Sequence, residues 1–402
     1  MVPWTTFPQP ALTLQKIYLD HNATTPLAPE VLEAMLPLYR EGFGNPSSVH
    51  SEGRRARVRL DEAREQVAAL IGAESREIVF TSGGTEADNF AIFGVAFAPG
   101  QKKRHIVTCE IEHSAVLNPL KQIEGLGYRV ERLPVDHCGC VDPERVRNAL
   151  TDSTVLVTIQ HANSEVGTLQ DIERIGKIVR ERGILFHTDA VQSVGKIPID
   201  VKSLPVDLLS LSAHKLYGPK GVGALFIRRG IRPLFSLICG GGQEKKRRGG
   251  TENVAGVVGF GKACQLAAER LDRGEAECLK EMRDRLWGRI QGSIPGAELF
   301  GDPNNRLPNT LGCGFEGVDG ETLLIALDME GVSVSTGSAC SSGTGLPSPV
   351  LAAMQVPVDW INSSLRLSLG WGNTPDEMDR VVETLAQAVR QGREKVFPGQ
   401  AG

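Results

Sequence analysis

An α/β fold is the expectation this sequence raises: a large domain around a mainly parallel sheet, joined to a smaller α+β domain. Three observations carry it. The 402 residues allow two or three domains at about 150 residues each, with ample chain for a large buried core. From about residue 54 to 270, short β-branched or apolar runs alternate with segments of helical period, the pattern of strands joined by crossover helices. After about residue 270 that alternation gives way to a long charged helix and isolated strand-like runs.

In chain order, Leu60, Ala63, Val67, Leu70 and Ile71 share one helical face that stops at Gly72. Seven strand-like runs follow, at Glu77 to Thr81, His105 to Cys109, Tyr128 to Leu133, Val155 to Ile159, Ile184 to Thr188, Leu208 to Ser212 and Gly223 to Ile227. The smaller domain opens with a helix over Glu275 to Gln291, and its strands fall at Thr310 to Phe315 and Ser364 to Ser368. The last helix has Thr374 as N-cap, Pro375 in its first turn and Glu377 completing a capping box ahead of the Met378, Val381, Val382, Leu385, Val389 stripe.

Composition removes several function classes. With 41% hydrophobic and 23% charged residues the chain is an ordinary globular one, neither disordered nor fibrous. A net charge of −4 speaks against nucleic-acid binding by bulk phosphate attraction, and the basic run Lys245 to Arg248 is too short for a binding arm. The longest apolar stretch, Phe90 to Pro99, is about half of what a membrane helix needs. The first positive charge is Lys16, and neither a secretory nor a mitochondrial leader is visible, so a cytoplasmic protein is expected. Its eight cysteines are then expected as free thiols. Cys138-Gly139-Cys140 is either a turn or half of a metal site, and no second pair at zinc spacing favours the metal.

In a sheet of this kind, ligands bind beyond the carboxyl ends of the strands, and the polar clusters lie there. Ser82-Gly83-Gly84-Thr85-Glu86 leads from a strand into a helix, a place where glycines let backbone N–H groups approach a phosphate; without Gly-Lys-Ser/Thr it is no nucleotide-triphosphate loop. Asp189 emerges from a hydrophobic strand as either a helix cap or a counter-charge for a buried cation. Lys215 follows the next strand, beside Ser212 and His214, where a desolvated amine can form a Schiff base. An anion cradle, an acid and a lysine together fit pyridoxal phosphate.

The sequence closely resembles the fold-type-I pyridoxal phosphate enzymes and, within them, the cysteine desulfurases of the IscS/NifS kind. The likeness runs through Tyr18-Leu19-Asp20-His21-Asn22-Ala23-Thr24-Thr25-Pro26, Gly42-Phe43-Gly44-Asn45-Pro46-Ser47-Ser48, Glu112-His113, Gly240-Gly241-Gly242-Gln243-Glu244 and Ser338-Ala339-Cys340-Ser341. It implies a seven-stranded sheet in a cofactor domain over 25–268, with 1–24 and 269–402 forming a small domain that carries Cys340 on a mobile loop. It implies that Lys215 bonds the cofactor aldehyde, Asp189 pairs with the pyridinium nitrogen, His113 stacks on the ring and shuttles a proton, and Gln192 touches the ring hydroxyl. Gly84, Thr85, Ser212 and His214 would hold the phosphate, joined by Thr251 from the other subunit of a homodimer. Arg366 and Asn22 would take the substrate carboxylate, a structural ion pair being the lesser alternative for Arg366. Cys340 would accept sulfur from L-cysteine as a persulfide and pass it to an acceptor protein, iron–sulfur cluster assembly being the expected destination. Ser164 stands where the family commonly has an asparagine against the ring hydroxyl, and Lys245 where arginine is common. Selenocysteine lyase activity, or a non-catalytic docking role for the same fold, is the alternative; no metal is expected.

Overall fold

The computed structural model describes residues 16–336 and 347–396. The central sheet has seven strands in the spatial order Ile78–Thr81, Gly223–Ile227, Leu208–Ser212, Leu185–Asp189, Thr154–Thr158, His105–Cys109 and Arg129–Leu133. Only Gly223–Ile227 runs antiparallel to its neighbours. The other six point the same way, so their carboxyl ends share one edge of the sheet.

The inner strands read as continuous apolar runs because both faces of the sheet are covered. Successive side chains point to opposite faces, which sorts them into two cores. Phe80, Val107, Val157, Leu209 and Phe226 face the helices Ser51–Leu70 and Val254–Asp272. Val79, Ile106, Leu156, Leu208 and Leu225 face Gly84–Ala96 and Ser114–Glu124. A Cβ at Gly261 would lie 2.7 Å from Ala63 Cα, so glycine is what lets the helices Ser51–Leu70 and Val254–Asp272 approach this closely.

A separate apolar core gathers Ile17 and Leu19 with Leu286, Ile290, Leu311, Phe315, Leu365 and Leu367, closed by Met378, Val381, Val382, Leu385 and Val389 of the last helix. It lies on an antiparallel sheet of Ala297–Phe300, Thr310–Phe315 and Ser364–Ser368. The capping box is formed: Thr374 N donates to Glu377 Oε2 at 2.9 Å and Glu377 N to Thr374 Oγ1 at 3.3 Å. Thr310–Phe315 and Ser364–Ser368 fall where the sequence places them, whereas several strands of the large sheet begin one residue away from expectation. Three strands were not foreseen: Ala297–Phe300, and Ile17–Tyr18 with its partner Val332–Ser333. A two-residue strand has no period to read.

Candidate active site

The carboxyl edge of the sheet, with Ala23 from the segment after Ile17–Tyr18, surrounds one cavity of about 220 Å³. Gly84, Thr85, His113, Ser164, Asp189, Gln192, Ser212, His214 and Lys215 all line it, together with Ala23, Asp88, Gln160, Ala162 and Val191. At one end the helix Gly84–Ala96 begins, presenting N–H groups that have no partner within the helix. A Cβ on Gly84 would come within 2.7 Å of Val191 Cγ2, so only glycine leaves this wall open. Ser212 Oγ is buried there without a hydrogen bond, an orphan that a ligand oxygen would satisfy. His214 Nδ1 meets Thr24 Oγ1 at 3.2 Å; burial, and then Lys215, push its pKa down to about 4, so the ring is neutral.

Asp189 ends its strand buried, and its Oδ1 accepts from Val191 N at 2.9 Å. The carboxylate thus caps a turn and also faces the cavity. Three buried acids crowd this end. Burial pushes Asp88 well up, with Asp189 adding to the rise, and pushes Glu112 up to about 8. Burial also raises Asp189, but His113 and Lys215 pull it back. All three carboxyls are thus held above the usual carboxylate range, and Asp189 is the one whose rise His113 and Lys215 oppose. Behind it His187 bonds Thr158 Oγ1 at 2.8 Å and Ser210 Oγ at 3.0 Å, and burial lowers it to about 3, keeping the floor neutral.

Lys215 closes a short 3-10 turn after the strand Leu208–Ser212. Its Nζ donates to the carbonyls of Asn22 and of Ala23, the latter at 2.7 Å. Two residues on, Tyr217 adopts a left-handed φ of 61° and stacks on Trp371 at 3.8 Å, with Arg270 over the outer indole face. His113 is the N-cap of Ser114–Glu124; its Nδ1 accepts from Ala115 N at 3.1 Å, which leaves Nε2 as the nitrogen that carries the ring proton.

Arg366, buried on the strand Ser364–Ser368, makes an ion pair and lies outside the cavity lining. Nη2 pairs with Asp20 Oδ1 at 2.7 Å and Nη1 reaches Ser164 O at 3.4 Å, while Nε has no partner. Asn22 departs from expectation: it lies outside the cavity lining, and all four hydrogen-bonding positions of its amide are engaged within the protein. Thr251 is exposed and also outside the lining. Cys340 falls outside the described residues. At Cys138-Gly139-Cys140 the structure shows a turn, with Asp136 Oδ1 accepting from both cysteine N–H groups. No group of His, Cys, Asp and Glu among the described residues is placed to hold a metal, and their seven cysteines are free thiols.

A helix N-terminus that accepts anions, an unsatisfied serine hydroxyl, a buried aspartate and a lysine amine face one cavity, as a phosphorylated pyridine aldehyde requires. The aminotransferase class-V model matches residues 17–381. The chain belongs to that family. Its cofactor is accordingly pyridoxal phosphate, and the residues present fit it. Among curated relatives, "Cysteine desulfurase IscS" of Dictyoglomus turgidum is 50% identical over 379 residues, covering 94% of this chain and 96% of the relative. The protein of that name from Methanosarcina thermophila is likewise 50% identical over 379 residues, 94% of this chain and 93% of the relative. Among solved structures, a NifS-like protein superposes with a TM-score of 0.88 at 39% identity, covering 94% of this chain and all of the other. A structure described as SspA in complex with cysteine gives 0.77 at 36% identity over 88% of this chain and 98% of the other. Among the described residues no helix is long and apolar enough to cross a membrane.

Sequence reasoning passed over three members of this class-V site. Asp88 sits one turn into the helix Gly84–Ala96, and an acid at helical spacing with the buried Ala91, Ile92 and Val95 was the available signal. Asp20 is the partner of Arg366, separated by 346 residues, for which no local signal exists. Lys196 lies four positions after Gln192 and bonds to it.

Proposed function

We propose that this chain is a pyridoxal-phosphate-dependent cysteine desulfurase, converting L-cysteine to L-alanine and leaving a persulfide on Cys340. The observation that carries the reading is the convergence of Lys215, Asp189 and the Gly84 helix terminus on one cavity. When bound, pyridoxal phosphate supplies an electron sink next to the substrate Cα. The chain's residues supply the rest. Gly84, Thr85, Ser212 and His214 would hold the phosphate, with Thr251 of a second subunit completing it. Asp189 would hold a proton on the ring nitrogen, whose positive charge would in turn favour the carboxylate form. His113 would cover the ring, and Gln192 and Ser164 would face its oxygen. Lys215 would bind the aldehyde and then, as a free amine, carry the Cα proton.

Arg366 offers the substrate carboxylate its Nε edge while Asp20 keeps the guanidinium in place. Asn22, its amide fully committed, would brace this wall through Ser164 O. The Cys340 thiolate then attacks the substrate sulfur. An S–S bond forms as the carbon–sulfur bond breaks, the electron pair passes to carbon, and a proton delivered by His113 completes L-alanine. The persulfide would go to an acceptor protein, with iron–sulfur cluster assembly as the destination and the cytoplasm as the setting. Residues 25–268 would form the cofactor domain and 1–24 with 269–402 the small one, a division supported by the separate core around Ile17 and the last helix.

Borohydride reduction of the yellow holoenzyme followed by peptide mass spectrometry tests the assignment. The adduct is expected on Lys215. A reduced adduct on any other lysine, or a colourless protein after incubation with pyridoxal phosphate, refutes it.

A further inference from the structure

Lys196 has no part in the scheme above, yet its amine sits within the hydrogen-bond network that holds the site. Nζ donates to Gln192 Oε1 at 3.1 Å and to Asn22 Oδ1 at 2.9 Å. The same Asn22 oxygen accepts from Asn309 Nδ2 at 3.1 Å, and Asn22 Nδ2 donates to Ser164 O at 3.0 Å and Thr310 Oγ1 at 2.9 Å. Gln192 Nε2 donates to Asn22 O at 3.0 Å. A glutamine amide has two N–H groups, so the second N–H of Gln192 is uncommitted among the described residues, and Gln192 lines the cavity.

The orientation of an amide is decided by what faces each end. With Lys196 donating to Oε1, reversing the Gln192 amide would set its NH2 group against another donor. The edge left for the cavity is therefore a donor edge, suited to an oxygen anion on the cofactor ring. No carboxylate among the described residues pairs with Lys196; burial, and then Lys215 and Arg366, push its pKa well below the usual lysine value. It serves by the direction of its N–H bonds, not as a counter-charge. Through Asn22 it also steadies Ser164 O, the carbonyl that receives Arg366 Nη1.

We propose that Lys196 is a positioning residue, locking the Gln192 amide with its N–H edge toward the cofactor and bracing Asn22 behind the substrate-carboxylate wall. The inference rests on the reading of the cavity as the pyridoxal phosphate site.

The test titrates apoprotein with pyridoxal phosphate, following visible absorbance, and measures KM for L-cysteine. Loss of one buried donor contact predicts that Lys196→Met weakens cofactor binding about tenfold, shifts the visible maximum and raises KM. Lys196→Arg keeps the donors, and the cavity of about 30 Å³ that Lys196 shares with Lys215 and Tyr217 leaves it room, so it is expected to restore affinity, a rescue that a packing role would not need. In a Gln192→Leu background, Lys196→Met is expected to add less than about twofold to the loss of cofactor affinity, because the two act through one contact. Should the Met variant not fold, Lys196→Leu carries the same comparisons. A Lys196→Met enzyme with unchanged affinity and spectrum, beside a weakened Gln192→Leu, overturns the proposal and leaves the site reading intact. Full multiplication of the two effects overturns it as well. If Gln192→Leu and Lys215→Ala both leave cofactor binding untouched, the site reading fails and takes the proposal with it.

Discussion

Glu112 should make the holoenzyme lose stability as pH rises, and Glu112→Gln should remove that loss. Its carboxyl is buried; Oε1 accepts from Gln160 N at 2.7 Å and from Cys109 Sγ at 3.0 Å, while Oε2 has no partner. Burial is the largest cause of the rise from the ordinary 4.5 to about 8. Between those two values the native state keeps a proton that the unfolded chain releases. The contribution is fully present below pH 4.5 and lost as pH climbs through about 8. At about 1.4 kcal/mol per pH unit the whole span amounts to about 5 kcal/mol. Glutamine keeps the acceptor at Oε1 and has no proton to lose. Urea unfolding of wild-type and Glu112→Gln holoenzyme at about pH 5.5 and 7.5, with cofactor concentration matched, should show the variant gaining about 3 kcal/mol on the wild type over that interval. A difference that stays constant within about 0.5 kcal/mol would mean that Glu112 is ionised in the native protein.

Gly84→Ala places a Cβ 2.7 Å from Val191 Cγ2; the expected outcome is a stability loss of about 1 to 3 kcal/mol and cofactor affinity at least about tenfold weaker, read by absorbance titration. Unchanged affinity would show that the helix terminus is not the phosphate site. Cys340→Ser should still change its visible spectrum on adding L-cysteine but release no L-alanine over many turnovers, as measured by amino-acid analysis; ordinary turnover would remove Cys340 from the mechanism.

The large sheet was legible because its strands are buried on both faces, so Val155 to Ile159 or Leu208 to Ser212 needs no partner to be recognised as strand. The last helix was legible down to its capping box, since Thr374 and Glu377 act within three residues of each other. For the site, the chain order of Gly84, Asp189 and Lys215 at strand ends was enough to assemble a cofactor pocket. Long-range polar pairings were not legible. The engagement of Arg366 with Asp20, the saturation of the Asn22 amide by Lys196, Asn309, Ser164 and Thr310, and the three mutually repelling acids depend on segments that only the folded chain brings together. Asn22 illustrates the limit: a polar residue in a site motif reads as a ligand contact, and only the count of its partners shows it to be a hub.

The pairing of Ile17–Tyr18 with Val332–Ser333, extended by the bridge from Asp20 to Ser368, sets a schedule for biosynthesis. Val332 follows Ile17 by 315 residues, which at about 5 to 20 residues per second is roughly 15 to 60 s of translation. Throughout that interval the large sheet can form on the ribosome, but the segment holding Asn22 and Ala23 has no strand to join, and the carbonyls that receive Lys215 Nζ are not yet in place. The pocket is thus finished from both ends of the chain at once, and a nascent chain stopped before Ser368 would carry the lysine without the walls that make it reactive.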